Sequence, residues 1–299
     1  MAEVTAQLVK TLRERTGAGM MDCRNALVEA NANLDDAEVV LRKRGAAAAA
    51  KKSSRSAKQG LIVVDIAAGG QSAVIVEVNC ESDFVARTDE FHGLVTDIAA
   101  HVASSSAATV EAILLEALAR DPSVTVGDFI KTQIARVGEN IVLPRFERIC
   151  VASGTIASYT HPGSQLAVAM ALSSPAGHSE ELLALGRDLA MQVAAADPKY
   201  IRRDQVDAAH VAKEADIARD RARNEGKPEK ILDKIVEGRL GKFYEEVCLM
   251  EQPFIKDNTL TVAELIKQKS ASTGGAIEVA HFARFKVGET QSGEEAAAE

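Results

Sequence analysis

GLIVVDIAAGGQSAVIVEV, residues 60–78, returns later in the chain as GTIASYTHPGSQLAVAMAL, residues 154–172. At an offset of 94 residues Gly60 falls on Gly154, Ile62 on Ile156, Gln71 on Gln165, Ala73 on Ala167 and Val74 on Val168. Each copy is an apolar run, a glycine-containing turn and a second apolar run, which is the pattern of paired strands. A segment of helical period follows each one, EFHGLVTDIAAHVASS (90–105) and SEELLALGRDLAMQVAAA (179–196). A period this long is not that of a solenoid. The pattern predicts an α+β fold with two duplicated core subdomains, one over 60–150 and the other over 151–200 together with 247–287.

Composition limits what such a body can do. The 299 residues suffice for two units with appendages. Hydrophobic residues at 46% and charged residues at 26% are the balance of a soluble globular protein. Aromatics are only 4% and Trp is absent, so the core must be aliphatic and alanine-rich. A formal charge of −8 repels phosphate backbones unless basic charge is concentrated locally. The one concentrated run is RKRGAAAAAKKSSRSAK, residues 42–58. Cys23, Cys80, Cys150 and Cys248 are scattered, with no CxxC pair or Cys/His cluster, which argues against a zinc site. The start, MAEVTAQLVK, lacks a basic stretch followed by an apolar one, and no apolar run is long enough to span a bilayer. The expectation is a cytoplasmic protein with no membrane partner.

Flanking segments add helices. Val4, Leu8, Val9 and Leu12 recur at helical spacing, Gly17 and Gly19 supply a turn, and Met21, Ala26 and Leu27 resume the period. Leu34, Ala37, Val40 and Leu41 mark a third helix closing before Gly45, with Asp35 and Asp36 at its start and Arg42, Lys43 and Arg44 at its end, as the helix dipole prefers. The spacing predicts a three-helix unit over 1–50, fraying from residue 46 into a polar linker over 51–59. Residues 201–246 read as an αα-hairpin. A charged helix with a thin apolar stripe ends near Gly226, and a second begins at Pro228 and carries Ile231, Leu232, Ile235, Val236, Leu240 and Phe243. Thr261 and Glu264 form a capping box, IEVAHFARFKVGE (277–289) reads as a strand, and the acidic tail over 288–299 is expected to be disordered.

The corner of the first copy reads NCESDFVART, residues 79–88. At the repeat offset Asp83-Phe84 falls opposite Gly177-His178. A corner that needed an inward phenylalanine would be expected to carry a comparable apolar group in the second copy. It carries none, which moves Phe84 away from the buried role usual for this residue type. No phosphate loop, dinucleotide fingerprint, GxSxG or HExxH is present. His161, in SYTHPG, is an isolated turn histidine, and Cys80 has no identifiable base and reads as a small buried thiol. The expectation is a binding protein, not an enzyme, with no catalytic residue, metal site or cofactor.

LVKTLRERTGAGMMDCRNAL (8–27), EVNCESDFVART (77–88), VGENI (137–141), SYTHPG (158–163) and VEGRLGKF (236–243) together resemble bacterial elongation factor Ts, in order and spacing, from residue 2 to about 288. The resemblance implies a guanine-nucleotide exchange factor for elongation factor Tu. Its implied parts are an N-terminal ubiquitin-associated-like three-helix module, a two-subdomain core, an antiparallel coiled-coil hairpin inserted in the second subdomain, and a C-terminal helical module. It further implies that Ser82, Asp83, Phe84 and Val85 reach the partner's magnesium site. Arg13, Met20, Met21 and Arg24 would pack on a helix of the partner, and Val137, Gly138 and His161 would meet its surface. Adjacent Met20 and Met21 face different sides of one helix, so one of them is expected to pack inward. Gly138 either admits close backbone approach or is a plain turn glycine. The resemblance implies no direct contact with nucleotide or nucleic acid, and it leaves homodimerisation through the hairpin open. The alternative reading is a ubiquitin-associated-like or RNA-contacting scaffold built on residues 1–59.

Overall fold

The computed structural model describes residues 3–273 and 275–290. Helices α1 (Ala6–Thr16), α2 (Met20–Glu29) and α3 (Leu34–Lys52) come first and enclose a small core of Leu12, Cys23, Ala26, Leu27 and Ala37, all fully buried. Then come β1 (Gln59–Ile66), β2 (Ser72–Cys80), the single turn α4 (Asp83–Ala86), α5 (Asp89–Ser104) and α6 (Val110–Leu115). A small hairpin, β3 (Ala117–Leu118) with β4 (Asp121–Thr125), leads into α7 (Val126–Val137) and β5 (Ile141–Cys150). The second half runs β6 (Gly154–Thr160), β7 (Leu166–Ser173), α8 (Glu180–Ala196), α9 (Ala208–Asn224), α10 (Glu229–Val247), β8 (Pro253–Phe254), β9 (Asp257–Thr261), α11 (Val262–Thr273) and β10 (Glu278–Lys286).

Two antiparallel three-stranded sheets result, β1-β2-β5 and β10-β7-β6. Side chains alternate faces along a strand, and both faces of the two central strands are used. On β2, Val74, Val76 and Val78 pack under the helices of their own half, while Ala73 and Ile75 face the other sheet. On β7, Val168, Met170 and Leu172 turn to the helices, and Ala167, Ala169 and Ala171 turn to the first sheet. The body is therefore helices, sheet, sheet, helices. Burial on both faces is why these strands read as nearly unbroken apolar runs.

A pseudo-two-fold relation joins the halves. Ile62 N–H donates to Ser164 O at 2.7 Å and its counterpart Ile156 N–H donates to Gly70 O at 2.6 Å. Val151 N–H meets Gln71 O, and Val287 N–H meets Gln165 O, each at 2.9 Å. Each hairpin turn thus hooks the first strand of the other half. The duplication extends beyond the first hairpins, for β3-β4-α7-β5 recurs as β8-β9-α11-β10 with Asp121, Ser123, Thr125 and Val126 matched by Asp257, Thr259, Thr261 and Val262. The offset, 94 in the strands, is 91 between the helix caps Thr88 and Ser179 and 136 after the α9–α10 hairpin. The first corner is consequently three residues longer than the second. Gly177-His178 is not the counterpart of Asp83-Phe84, because α4 occupies a lengthened corner.

Other expectations need correction. α3 does not close before Gly45. It runs through the alanines, strong helix formers, to Lys52, with Gly45 lying against Ala135 of α7. On α10, Leu232 and Val236 are buried against Ala218 and Ala222 of α9, whereas Ile231 is turned outward. The C-terminal stretch contributes one helix, α11, and its remainder pairs into the second sheet as β10 rather than forming a helical module. Of the expected disordered tail, residues 288–290 belong to the folded body. Gly288 N–H donates to buried Glu77 Oε1 at 2.9 Å, and Glu289 lies 3.1 Å from Arg284. Residues 291–299 lie outside the described residues. No described helix is long and apolar enough to cross a membrane.

Candidate functional site

The site begins where β2 ends. Cys80 is sealed, with its thiol donating to Ser82 O. Ser82 is extended and caps α4, its Oγ accepting from Val85 N–H. One helical turn points its side chains in different directions. Ala86 is buried and Val85 packs on the core, which leaves Phe84 82% exposed. Asp83, beside it, pairs with Arg87 at 2.9 Å.

Two carboxylates tie this turn to the corner between α7 and β5. Glu139 Oε2 accepts from Glu81 N–H at 3.1 Å and Ser82 N–H at 2.9 Å, and its Oε1 accepts from Ser82 Oγ at 2.5 Å. Glu81 Oε1 returns the contact by accepting from Asn140 N–H at 2.6 Å, with Arg55 Nη1 3.5 Å away. Buried Asn140 donates from Nδ2 to Arg55 O at 2.8 Å. Residues 82–85 and the pair Val137-Gly138 are thereby brought side by side. Gly138 ends α7 in the left-handed region at φ 87°, its N–H on Ile134 O, so its residue type is required by the turn.

The end of α7 also receives the N-terminal helices. Arg136 Nε lies 2.7 Å from Glu90 Oε1, and a Cβ on Gly17 would stand 2.8 Å from Arg136 Nη1. Lys52 Nζ reaches Ile134 O at 3.4 Å. Arg13 and Met20 line a cleft of about 1200 Å³ between these helices and α7, together with Arg42, Arg120 and Phe129. Met20 and Met21 are 48% and 63% exposed, so neither packs inward as expected. They occupy the first two positions of α2, ahead of Cys23, Ala26 and Leu27, which fill the core. Arg24 is exposed as well.

His161 sits in the β6-β7 turn, exposed, with its Nδ1 3.0 Å from Tyr159 Oη. That turn is linked to the same region, since Gln165 Nε2 donates to Gln59 Oε1 at 3.3 Å and Gln59 pairs with Cys80. Burial, helped by the nearby Glu139 charge, pushes the Cys80 thiol up to about 12, which removes it as a nucleophile at neutral pH. Sequence reasoning missed Glu81, Glu139, Asn140 and Arg55. The signal available was an acidic residue in each of the two motifs, CESDF and VGEN, but nothing in their order shows that each acid binds the other's backbone.

An α+β body that carries an exposed phenylalanine on a tethered turn, and exposed apolar and basic side chains on its N-terminal helices, has the build of a factor that works by docking on another macromolecule. The family model described as Elongation factor TS matches residues 81–289. Elongation factor Ts of Clostridium kluyveri is 46% identical over 286 residues, covering 96% of this chain and 93% of that protein. The protein of the same name from Clostridium perfringens is 44% identical over 96% of this chain and 93% of its own length. That from Prosthecochloris aestuarii is 43% identical over 96% of this chain and the whole of its own. The chain belongs to the elongation factor Ts family.

Proposed function

We propose that this chain promotes GDP release from elongation factor Tu by inserting Phe84, with Asp83 beside it, next to the partner's magnesium and phosphate site. The observation that carries the reading is the 82% exposure of a phenylalanine in a chain whose residues are only 4% aromatic. GDP is held largely through its phosphates, by backbone N–H groups and Mg²⁺. Moving those groups loosens the nucleotide without any contact to the base. The coupling is reciprocal, so a nucleotide that is weakened by the factor weakens the factor in turn, and GTP rebinding frees it. No bond is made or broken in such a cycle.

Ser82 and Val85 set the turn, Val137, Gly138 and His161 extend the contact over the core, and Arg13, Met20, Met21 and Arg24 seat the partner on the N-terminal helices. Met20 and Met21, both outward, supply adaptable apolar surface. In this reading the three helices act as a ubiquitin-associated-like module and α9–α10 as a coiled coil that could join two copies, in the cytoplasm. The RNA-contacting alternative rests on the basic run 42–58, but several of its charges are engaged within the fold. Arg44 pairs with Glu29 at 2.7 Å, Lys52 caps α7 and Arg55 pairs with Glu81.

Release of labelled GDP from elongation factor Tu tests the proposal. The parent chain accelerates release, and Phe84→Ala slows the catalysed rate by at least about tenfold while changing folding stability by less than about 0.5 kcal/mol. A large loss of stability in Phe84→Ala, or an unchanged release rate, refutes the wedge.

A further inference from the structure

We propose that Glu139 is the positioning residue of the exchange site, holding the Asp83-Phe84 turn in its outward conformation before the partner arrives. The proposal rests on the wedge reading above and adds what keeps the wedge in place. An exposed phenylalanine on a single helical turn has two ways to lose its position. It can fold back on the apolar core, or the turn can fray, because one turn has too few hydrogen bonds to hold itself.

Val85 and Ala86 anchor the far side of the turn on the core, and one carboxylate fixes its start. Glu139 accepts three hydrogen bonds from two consecutive residues, Glu81 N–H, Ser82 N–H and Ser82 Oγ–H, within 2.5–3.1 Å. Bonds to an ionised acceptor are the strong kind. The Ser82 hydroxyl is used twice, donating to Glu139 and accepting from Val85 N–H, so the carboxylate fixes the cap that starts α4. Glu81 holds Asn140 N–H in return, and Asn140 and Arg55 close the ring. The α4 segment and the α7-β5 corner therefore move as one piece, and this places Phe84 and Gly138 in a fixed relation. Pre-organisation of this kind acts on apparent affinity. If only a fraction of molecules hold the turn outward, the apparent dissociation constant rises by the inverse of that fraction.

The chain contains no Trp, so Phe84→Trp gives a single indole fluorophore at the site. In this background, whose own GDP release is measured first, Glu139→Ala and Glu139→Gln are compared by time-resolved anisotropy of the indole, by melting, and by GDP release over a range of factor concentrations. The same substitutions are made with the native Phe84 and with Phe84→Ala. Loss of the carboxylate is expected to free the indole on the nanosecond scale in the folded protein. It should raise the factor concentration for half-maximal exchange by about tenfold with a much smaller change in the maximal rate. Glu139→Gln, which keeps one acceptor oxygen, falls between. In the Phe84→Ala background the Glu139 substitutions should add little.

An indole as rigid without Glu139 as with it, or an exchange loss confined to the maximal rate, overturns the proposal. Should Glu139→Ala fail to fold, Ser82→Ala with Glu139→Gln carries the same test. If Phe84→Ala exchanges at the parent rate, the wedge reading fails, and the anisotropy still decides whether Glu139 orders the turn.

Discussion

At Gly60 and Gly154 the backbone adopts φ of 155° and 136°, and a Cβ would collide with the carbonyl oxygens of Val78 and Leu172, the same position in each copy. That collision is why glycine stands at both starts of the repeat. Gly154→Ala should lower stability by at least about 1 kcal/mol, read as a fall in melting temperature, with a similar loss for Gly60→Ala. The cysteines invite a second test at this scale. Cys150 is exposed, and Cys23, Cys80 and Cys248 are buried. With the Cys80 thiol pushed up to about 12, a thiol reagent applied to the native protein near neutral pH should modify Cys150 and spare Cys80, as peptide mass spectrometry would report. Rapid native labelling of Cys80 would contradict the sealed corner. The corner's fixing residues were only half legible. Serine is a residue type that caps helices, but the repeat comparison that turned Phe84 outward does not hold across the longer first corner, and the partner of Ser82 lies 57 positions away. No local periodicity records it.

The α9–α10 hairpin is an element with its own interior and a pinned base. Ala218, Ala222, Leu232 and Val236 fill the seam. Leu249 N–H donates to Tyr200 O at 2.9 Å and Met250 N–H to Ile201 O at 3.1 Å, which holds the two ends together below it. Replacing residues 209–243 with a short glycine-containing turn should therefore leave the core folded, its melting temperature shifted by no more than a few degrees, since closing a shorter loop is not costly. Collapse of the core on excision would show that the hairpin supports it. The hairpin's existence was legible from the charged helix, the Gly226 stop and the Pro228 start. Which apolar residues of α10 face the seam was not, because a list of Ile and Leu positions broader than one stripe does not say where the stripe lies. The same holds for Met20 and Met21. Their adjacency requires that they point apart, but only the smaller residues behind them, Cys23 and Ala26, show that neither direction leads inward.

Across the whole molecule the two halves are joined by polar contacts as well as the alanine-lined layer between the sheets. Arg145 pairs with buried Glu77 at 2.7 Å, stacks 4.1 Å from the Phe285 ring centre and donates to Lys286 O. Nearby, His281 on β10 donates to Glu147 on β5, and that hydrogen bond raises the imidazole above its ordinary value of 6.5. A raised folded value means that this contribution is fully present below about 6.5 and is lost as pH rises through the folded value. Melting of the parent and of Glu147→Gln across pH 5.5–8.5 should show the parent's advantage largest at the acidic end and shrinking toward the alkaline end. An advantage that grows with pH would reverse the sign. The pair is half exposed, so the effect should be small beside the burial of Ile75, Ala169 and Phe285 in the intersheet layer.

The order of residues by itself determined the duplicated strand pairs, the three opening helices, the inserted hairpin and the absence of a recognisable catalytic motif, because alternation, helical spacing and turn residues are local records of burial and backbone conformation. Tertiary structure alone decided that the two sheets pack face to face, that each turn hooks the opposite half, and that Glu139 holds the segment bearing Phe84. Those choices rest on contacts between residues far apart in sequence, polar pairs above all. A hydrogen bond across the fold leaves no periodic trace in either of the segments it joins.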